Sequence, residues 1–393
     1  MAGLFDGIRV LDLTSMISGP TTTLILADQG ADVIKVETPG QGDHTRHVST
    51  RRRGLSASFV NNNRNKRSLT LNLKDARCRH AFLTLADKAD VVVQNFRPGV
   101  ADRLGVGPAA LRARNPRLIY LSIAGFGFEG PYAQKPTYDP LVQALSGLTT
   151  VQAGSDQERP RLVRTILPDK LTGFAAAQAI SAALFHRERS GEGQEITLSM
   201  LDTVLAFLWG SDMGGHTFVG DEWAEEKSQS FIDLIYETAD GYISVAVQSD
   251  KEWANLCVAL EAPDLRDDPR FATAALRGKN IDARLEATQE KLMARPAAQW
   301  LERLTAHDVP CAPVLTRREV VAHPQIAANG SLITYDHPEA GPLRQARPAP
   351  RFSATPTQVR HPAPGLGAHS REILREAGLS DDEIDVLRAE GHV

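Results

Sequence analysis

The chain of 393 residues has only three cysteines, Cys78, Cys257 and Cys311. They are far apart, odd in number and without CxxC spacing, so free thiols in a reducing cytosol are expected rather than a disulfide framework. No apolar run approaches ~20 residues, so no membrane span is expected. The opening Met1-Ala2-Gly3-Leu4-Phe5-Asp6-Gly7 lacks a basic stretch and a long apolar stretch, and no secretory signal is read there. Charge of one sign is lacking too. Lys plus Arg is 44 and Asp plus Glu is 48, giving 44 − 48 = −4, which argues against a nucleic-acid partner. The 11 histidines form no HExxH and no cluster with Cys or Asp, so no metal is expected. G-x-S-x-G and G-x-x-x-x-G-K-[ST] are both missing, which removes the serine-hydrolase and P-loop readings. What remains is ordinary globular composition, 42% hydrophobic and 23% charged. A cytoplasmic enzyme of two or three domains is the expectation, with no tightly bound cofactor.

Strand-like runs occur at residues 8–13, 32–37, 68–73, 90–96 and 117–123, with helical stretches at 20–29 and 75–88 between them. Alternation of this kind predicts βαβ units and a parallel sheet with helices on both faces. A long helix is predicted over 169–189. Its middle, 173–184, is small and apolar on almost every side, so deep burial is expected. A strand at 195–198 and a helix at 199–209 follow. Residues 210–229 lose periodicity and read as a linker. A second α/β domain of 230–325 follows, with a strand at 242–247 and helices at 250–260, 281–293 and 296–307. Residues 326–393 read as a return to the large domain begun by 1–209. Ser380 with Glu383 three positions on is a capping box opening the last helix.

Gly125-Phe126-Gly127-Phe128-Glu129-Gly130 matches G-x-G-x-x-G, but Pro131, Pro136 and Pro140 forbid the helix that a dinucleotide site needs. It is read as a turn. Met16-Ile17-Ser18-Gly19-Pro20 joins a strand to a helix. Gly19 is expected to supply the sharp turn, and Pro20 suits the first helical position. Asn95-Phe96-Arg97-Pro98-Gly99 is a polar loop, or a ring that stacks a base beside arginines. Arg51-Arg52-Arg53, with Arg46 before them, is a solvated loop or an anion site. Asp169 after Pro168 reads first as a helix N-cap. Alternatively, the helix dipole keeps it ionised as a nucleophile. Position alone does not choose.

These segments together resemble the class III CoA-transferase family, whose members include formyl-CoA transferase and L-carnitine CoA-transferase. The matching motifs are Gly7-Ile8-Arg9-Val10-Leu11-Asp12-Leu13 and Leu26-Ala27-Asp28-Gln29-Gly30-Ala31-Asp32-Val33-Ile34-Lys35-Val36-Glu37. Asn63-Arg64-Asn65-Lys66-Arg67-Ser68, Asn95-Phe96-Arg97-Pro98-Gly99, Gly130-Pro131-Tyr132 and Pro364-Gly365-Leu366-Gly367 add to them. The resemblance implies a Rossmann-like large domain with a parallel sheet, a smaller α/β domain and an interlocked homodimer. It implies acyl-CoA and small carboxylic acids as substrates and Asp169 as the catalytic residue. By the same carry-over Met16, Leu71, Lys74, Asn95, Phe96 and Arg103 contact CoA, while Ile17, Tyr138 and Met200 lie at the substrate pocket.

Three departures from formyl-CoA transferase point away from oxalate and formate as substrates. Ile17 stands for a glutamine, Thr38 stands for an arginine, and residues 222–240 carry no glycine run. The related acyl-CoA racemases use a histidine where this chain reads Thr137-Tyr138-Asp139-Pro140, which favours transfer over racemisation; a non-catalytic CoA-binding protein is the alternative from another class. Arg164 and the arginines of 46–53 hint at a dicarboxylate acid.

Overall fold

The computed structural model describes residues 3–220 and 234–393. Contacts divide the chain into two units. The larger takes in residues 3–152, 159–220 and 330–393, and the smaller takes in 153–158 and 234–329. Of the linker read at 210–229, residues 221–229 lie outside the described residues. Residues 210–220 hold one short 3-10 turn, Gly214–His216.

Val, Ile and Leu are frequent in the inner strands of the larger unit, as strands buried on both faces require. Six of them form an all-parallel sheet in the order Lys66–Thr70, Asp32–Glu37, Arg9–Asp12, Val91–Gln94, Ile119–Ala124 and Glu195–Ser199. Register pairs Leu11 with Ile34 on one side and with Val92 on the other. From Arg9–Asp12 the chain winds outward first to one edge and then to the other. The order therefore reverses between Arg9–Asp12 and Val91–Gln94. Parallel sheets bind ligands beyond the carboxyl ends of the strands at such a switch.

Each face of the sheet has its own core. On one face Leu11, Ile34 and Val92 meet Phe82 of the helix Ala76–Ala86. Ile373 and Leu374 of Ser370–Glu376 and Ile384 and Leu387 of Asp381–Ala389 join the same cluster, so the end of the chain is part of this unit. On the other face Val10, Val33 and Ile119 meet Leu26 of Ser18–Asp28 and Ile180 of Leu167–Ser190. The expected capping box of Ser380 and Glu383 is present. The segment after Ile119–Ala124 is a run of turns, and no helix begins before Asp139–Leu145.

Leu167–Ser190 departs from the expected burial on almost every side. Ala176, Ile180 and Ala183 face the sheet, but Phe174 and Phe185 are 62% and 66% exposed. A sheet covers only one side of a helix, and the described residues leave Phe174 and Phe185 on the other uncovered.

The smaller unit contains a three-stranded antiparallel sheet, Cys311–Pro313, Tyr242–Val245 and Ile235–Glu237. Its core gathers Trp253, Phe271, Leu292 and Trp300. The buried indole N–H of Trp300 donates to the Leu292 carbonyl at 2.7 Å, so its polar atom is satisfied. Ser249 and Glu252 cap the helix Asp250–Ala259 reciprocally.

The three cysteines are free thiols, with Cys78 and Cys257 buried and Cys311 half-buried. Among the described residues no helix is long and apolar enough to cross a membrane.

Candidate active site

The site forms where two loops leave the sheet at its switch. After Arg9–Asp12 the chain turns through Thr14, Ser15 and Met16 into the helix Ser18–Asp28. Met16 takes the left-handed conformation, φ 70°. This corrects the expectation for Gly19, which lies inside the helix; the helix begins at Ser18, ahead of Pro20. Gly19 serves packing instead. A Cβ there would sit 2.2 Å from the Cβ of Thr14. The second loop follows Val91–Gln94. Its Asn95 accepts the Ser15 N–H through Oδ1 at 3.0 Å and donates through Nδ2 to the Ser15 carbonyl at 2.8 Å. One side-chain amide thus ties the two loops together.

Asp169 comes to this turn from the far side of the sequence. The helix Leu167–Ser190 has Ile166 at its cap, so Asp169 is the third helical residue rather than the N-cap. Two helices can lie close here because Gly173 has no side chain. A Cβ at 173 would stand 2.7 Å from the Thr21 Cβ and 3.0 Å from the Ser18 carbonyl. The Ser18 N–H donates to Asp169 Oδ1 at 3.2 Å. The Asp169 N–H donates in turn to Oδ2 of Asp139 at 3.2 Å. Asp139 is buried, and its Oδ1 accepts from Gln143 at 2.6 Å. Gln143 also accepts the Val163 N–H at 3.0 Å, which holds the approach to the helix Leu167–Ser190.

Electrostatics oppose the helix dipole. Burial and the neighbouring Asp139 charge push the Asp169 carboxyl up to about 6, while hydrogen bonds from Ser18 pull the other way. The helix start favours the anion, but loss of hydration outweighs it. At neutral pH roughly nine-tenths of the population is still ionised. Burial raises Asp139 as well.

Asp169 lines a cavity of about 320 Å³. Met16, Asn95, Phe96, Tyr138 and Met200 line it too. A second cavity of about 600 Å³ lies over the ends of the neighbouring strands, and Leu71 and Lys74 line it. Ser15 and Phe96 belong to both walls, so the two cavities adjoin. Ile17 and Arg103 line neither. Ile17 is buried at the start of its helix, and its carbonyl accepts the Thr21 N–H. Arg103 is exposed, while its neighbour Leu104 reaches the larger cavity.

A family model for CoA-transferase family III matches residues 5–370. The chain belongs to CoA-transferase family III. An acetyl-CoA:oxalate CoA-transferase of Acetobacter aceti is 40% identical over 337 residues, covering 84% of this chain and 86% of that protein. The human succinyl-CoA:glutarate CoA-transferase is 32% identical over 384 residues, covering 96% of this chain and 86% of that protein. A crystal structure of a CaiB/BaiF family protein from Brucella suis superposes with a TM-score of 0.83 at 31% identity, covering 96% of this chain and all of the other.

Some features of this family III chain escaped sequence reasoning. Asp139 and Lys135 line the Asp169 cavity, as does Arg97, which sequence reasoning weighs only as an arginine beside Phe96. Asp139 was read only as part of a stretch lacking histidine; its signal was an Asp-Pro pair opening a helix. The arginines behind the dicarboxylate hint lie away from this cavity. Arg46 is buried against Glu37 at 2.7 Å, and Arg52 and Arg53 donate to the carbonyls of Pro342 and Glu339. Neither they nor Arg51 and Arg164 line the Asp169 cavity.

Proposed function

We propose that this family III enzyme transfers coenzyme A from an acyl-CoA donor to a carboxylic acid acceptor, with Asp169 as the nucleophile. The Asp169 carboxylate attacks the thioester carbonyl and expels the CoA thiolate, forming a mixed anhydride. The thiolate attacks the Asp169 carbonyl of that anhydride. The donor acid leaves, and an aspartyl-CoA thioester remains. The acceptor carboxylate attacks this thioester, again releasing thiolate and giving a second anhydride. The thiolate then attacks the acceptor acyl carbon, yielding the new acyl-CoA and free Asp169. Covalent intermediates on Asp169 split one difficult exchange into easier acyl transfers.

One observation carries the reading. A partly desolvated carboxylate, raised to about 6 yet mostly ionised at neutral pH, lies in a cavity that adjoins a larger cleft at the switch of a parallel sheet. The larger cleft suits the nucleotide of CoA, and the smaller suits the thioester. Partial burial strips some hydration from the attacking oxygen. Among the described residues no histidine lines the Asp169 cavity, which supports transfer over a proton-shuttling racemase. The exposed phenylalanine stripe of Leu167–Ser190 suits a second copy of the chain, in keeping with a homodimer. A cytoplasmic setting with free acyl-CoA completes the proposal.

The test is CoA exchange between a donor thioester and a panel of acids. Asp169→Ala is expected to abolish exchange while circular dichroism stays unchanged. A folded Asp169→Ala protein with full exchange activity rejects the nucleophile.

A further inference from the structure

Met16 is the one non-glycine residue with positive φ that lines the Asp169 cavity among the described residues. A methionine does not rest there unaided; surrounding contacts must impose the conformation. The contacts come from two residues with no other assigned task. Oδ1 of Asp43 accepts the Met16 N–H at 3.2 Å. The same oxygen is fixed by the Thr45 N–H at 2.9 Å and the Thr45 hydroxyl at 2.8 Å. Its partner oxygen, Oδ2, pairs with Lys35 Nζ at 2.9 Å, and both side chains are fully buried. Lys35 Nζ also donates to the Thr14 carbonyl at 2.8 Å.

The turn is therefore gripped at successive backbone groups. Asp12 takes the Thr14 N–H, Lys35 takes the Thr14 carbonyl, Asn95 takes Ser15, and Asp43 takes Met16. The next backbone donor aimed at the site is the Ser18 N–H, which meets Asp169 at 3.2 Å. A buried ion pair is a weak source of stability and is best justified by the geometry it enforces.

We propose that Asp43 and Lys35 are positioning residues: they hold Met16 in the left-handed conformation that aims the Ser18 N–H at the Asp169 carboxylate. This rests on Asp169 being the nucleophile. Without the pair, Met16 relaxes to negative φ, Ser18 turns away, and Asp169 loses the donor that fixes its rotamer. The effect falls first on turnover, because Met16 lines the cavity of Asp169; Asp43 also lines the larger cavity beside Leu71 and Lys74, so a lesser change in donor KM accompanies it.

A double-mutant cycle tests this. Glycine enters the left-handed region without help, so Met16→Gly should make Asp43 dispensable. Asp43→Ala alone is expected to lower kcat at least about tenfold, the lower part of the range such strain commands, with a smaller change in KM for the donor. In the Met16→Gly background the same substitution should lower kcat less than about threefold, because the conformation no longer needs imposing. Equal losses in both backgrounds overturn the proposal. If Asp43→Ala leaves Lys35 unpaired and the protein unfolded, the cycle is run with Asp43→Ala and Lys35→Met combined, which removes both buried charges. Failure of the nucleophile reading looks different: Asp169→Ala would then retain exchange, whatever the cycle gives.

Discussion

Asp169 should weaken the fold in proportion to its usefulness. The perturbation is Asp169→Asn, which keeps the shape and removes the charge. In the folded chain the carboxyl moves from the ordinary 3.8 to about 6, through burial and then Asp139. The folded state therefore holds this proton across a window in which the unfolded chain has released it. Stability contributed by the protonated form is complete below the unfolded value and is lost as pH climbs through the folded one. The difference, 6 − 3.8 = 2.2, corresponds to about 3 kcal/mol at most. Water reaches part of the side chain, so about 1–3 kcal/mol is expected. Asparagine has no proton to lose and escapes this penalty. The assay is the urea midpoint of both proteins from pH 4 to pH 8. The variant should gain on the wild type as pH rises, from near parity at pH 4 to a plateau above about pH 6.5. A difference that stays constant with pH, or that reverses sign, refutes the reasoning.

Three further outcomes follow from the same geometry. The acid limb of kcat/KM should fall near pH 6, the ionisation of Asp169. Asp139→Asn keeps an acceptor for the Asp169 N–H but removes the second cause of the upward shift, so it should move that limb to lower pH; an unmoved limb excludes Asp139 as the cause. Gly173→Ala places a Cβ 2.7 Å from Thr21. Overpacking of this kind costs about 1–3 kcal/mol, and because the Ser18 helix must shift, turnover should fall with the denaturation midpoint. Turnover that stays intact while stability drops would separate the packing from the site.

The sheet was legible because its inner strands are short segments rich in Val, Ile and Leu separated by helical stretches. Asp32–Glu37 came out residue for residue, and the other strands came within a few positions. Fully buried parallel strands announce themselves in this way. Leu167–Ser190 misled, because a helix that shields one face with the sheet and leaves the other to a further surface has the same composition as one buried all round. The turn at Met16 was placed correctly but credited to Gly19. Sequence suggests glycine wherever a chain must bend, whereas here buried ions impose positive φ on methionine. Asp139 was passed over since its effect lies in space: nothing in Tyr138-Asp139-Pro140 says that a second carboxylate will stand beside Asp169. The residues matched through the family motifs divide by side-chain direction. Met16, Asn95, Phe96, Tyr138 and Met200 reach the cavity, whereas Ile17, one residue past Met16, turns inward.

The mass of the intact protein tests the central claim most directly. The enzyme is incubated with donor acyl-CoA, quenched in acid without an acceptor, and mapped by peptide mass spectrometry. A hydroxylamine-sensitive gain of CoA on the peptide carrying Asp169, lost in Asp169→Asn, is the expected result. Rapid exchange of CoA between acids with no adduct at Asp169 at any time would contradict the account.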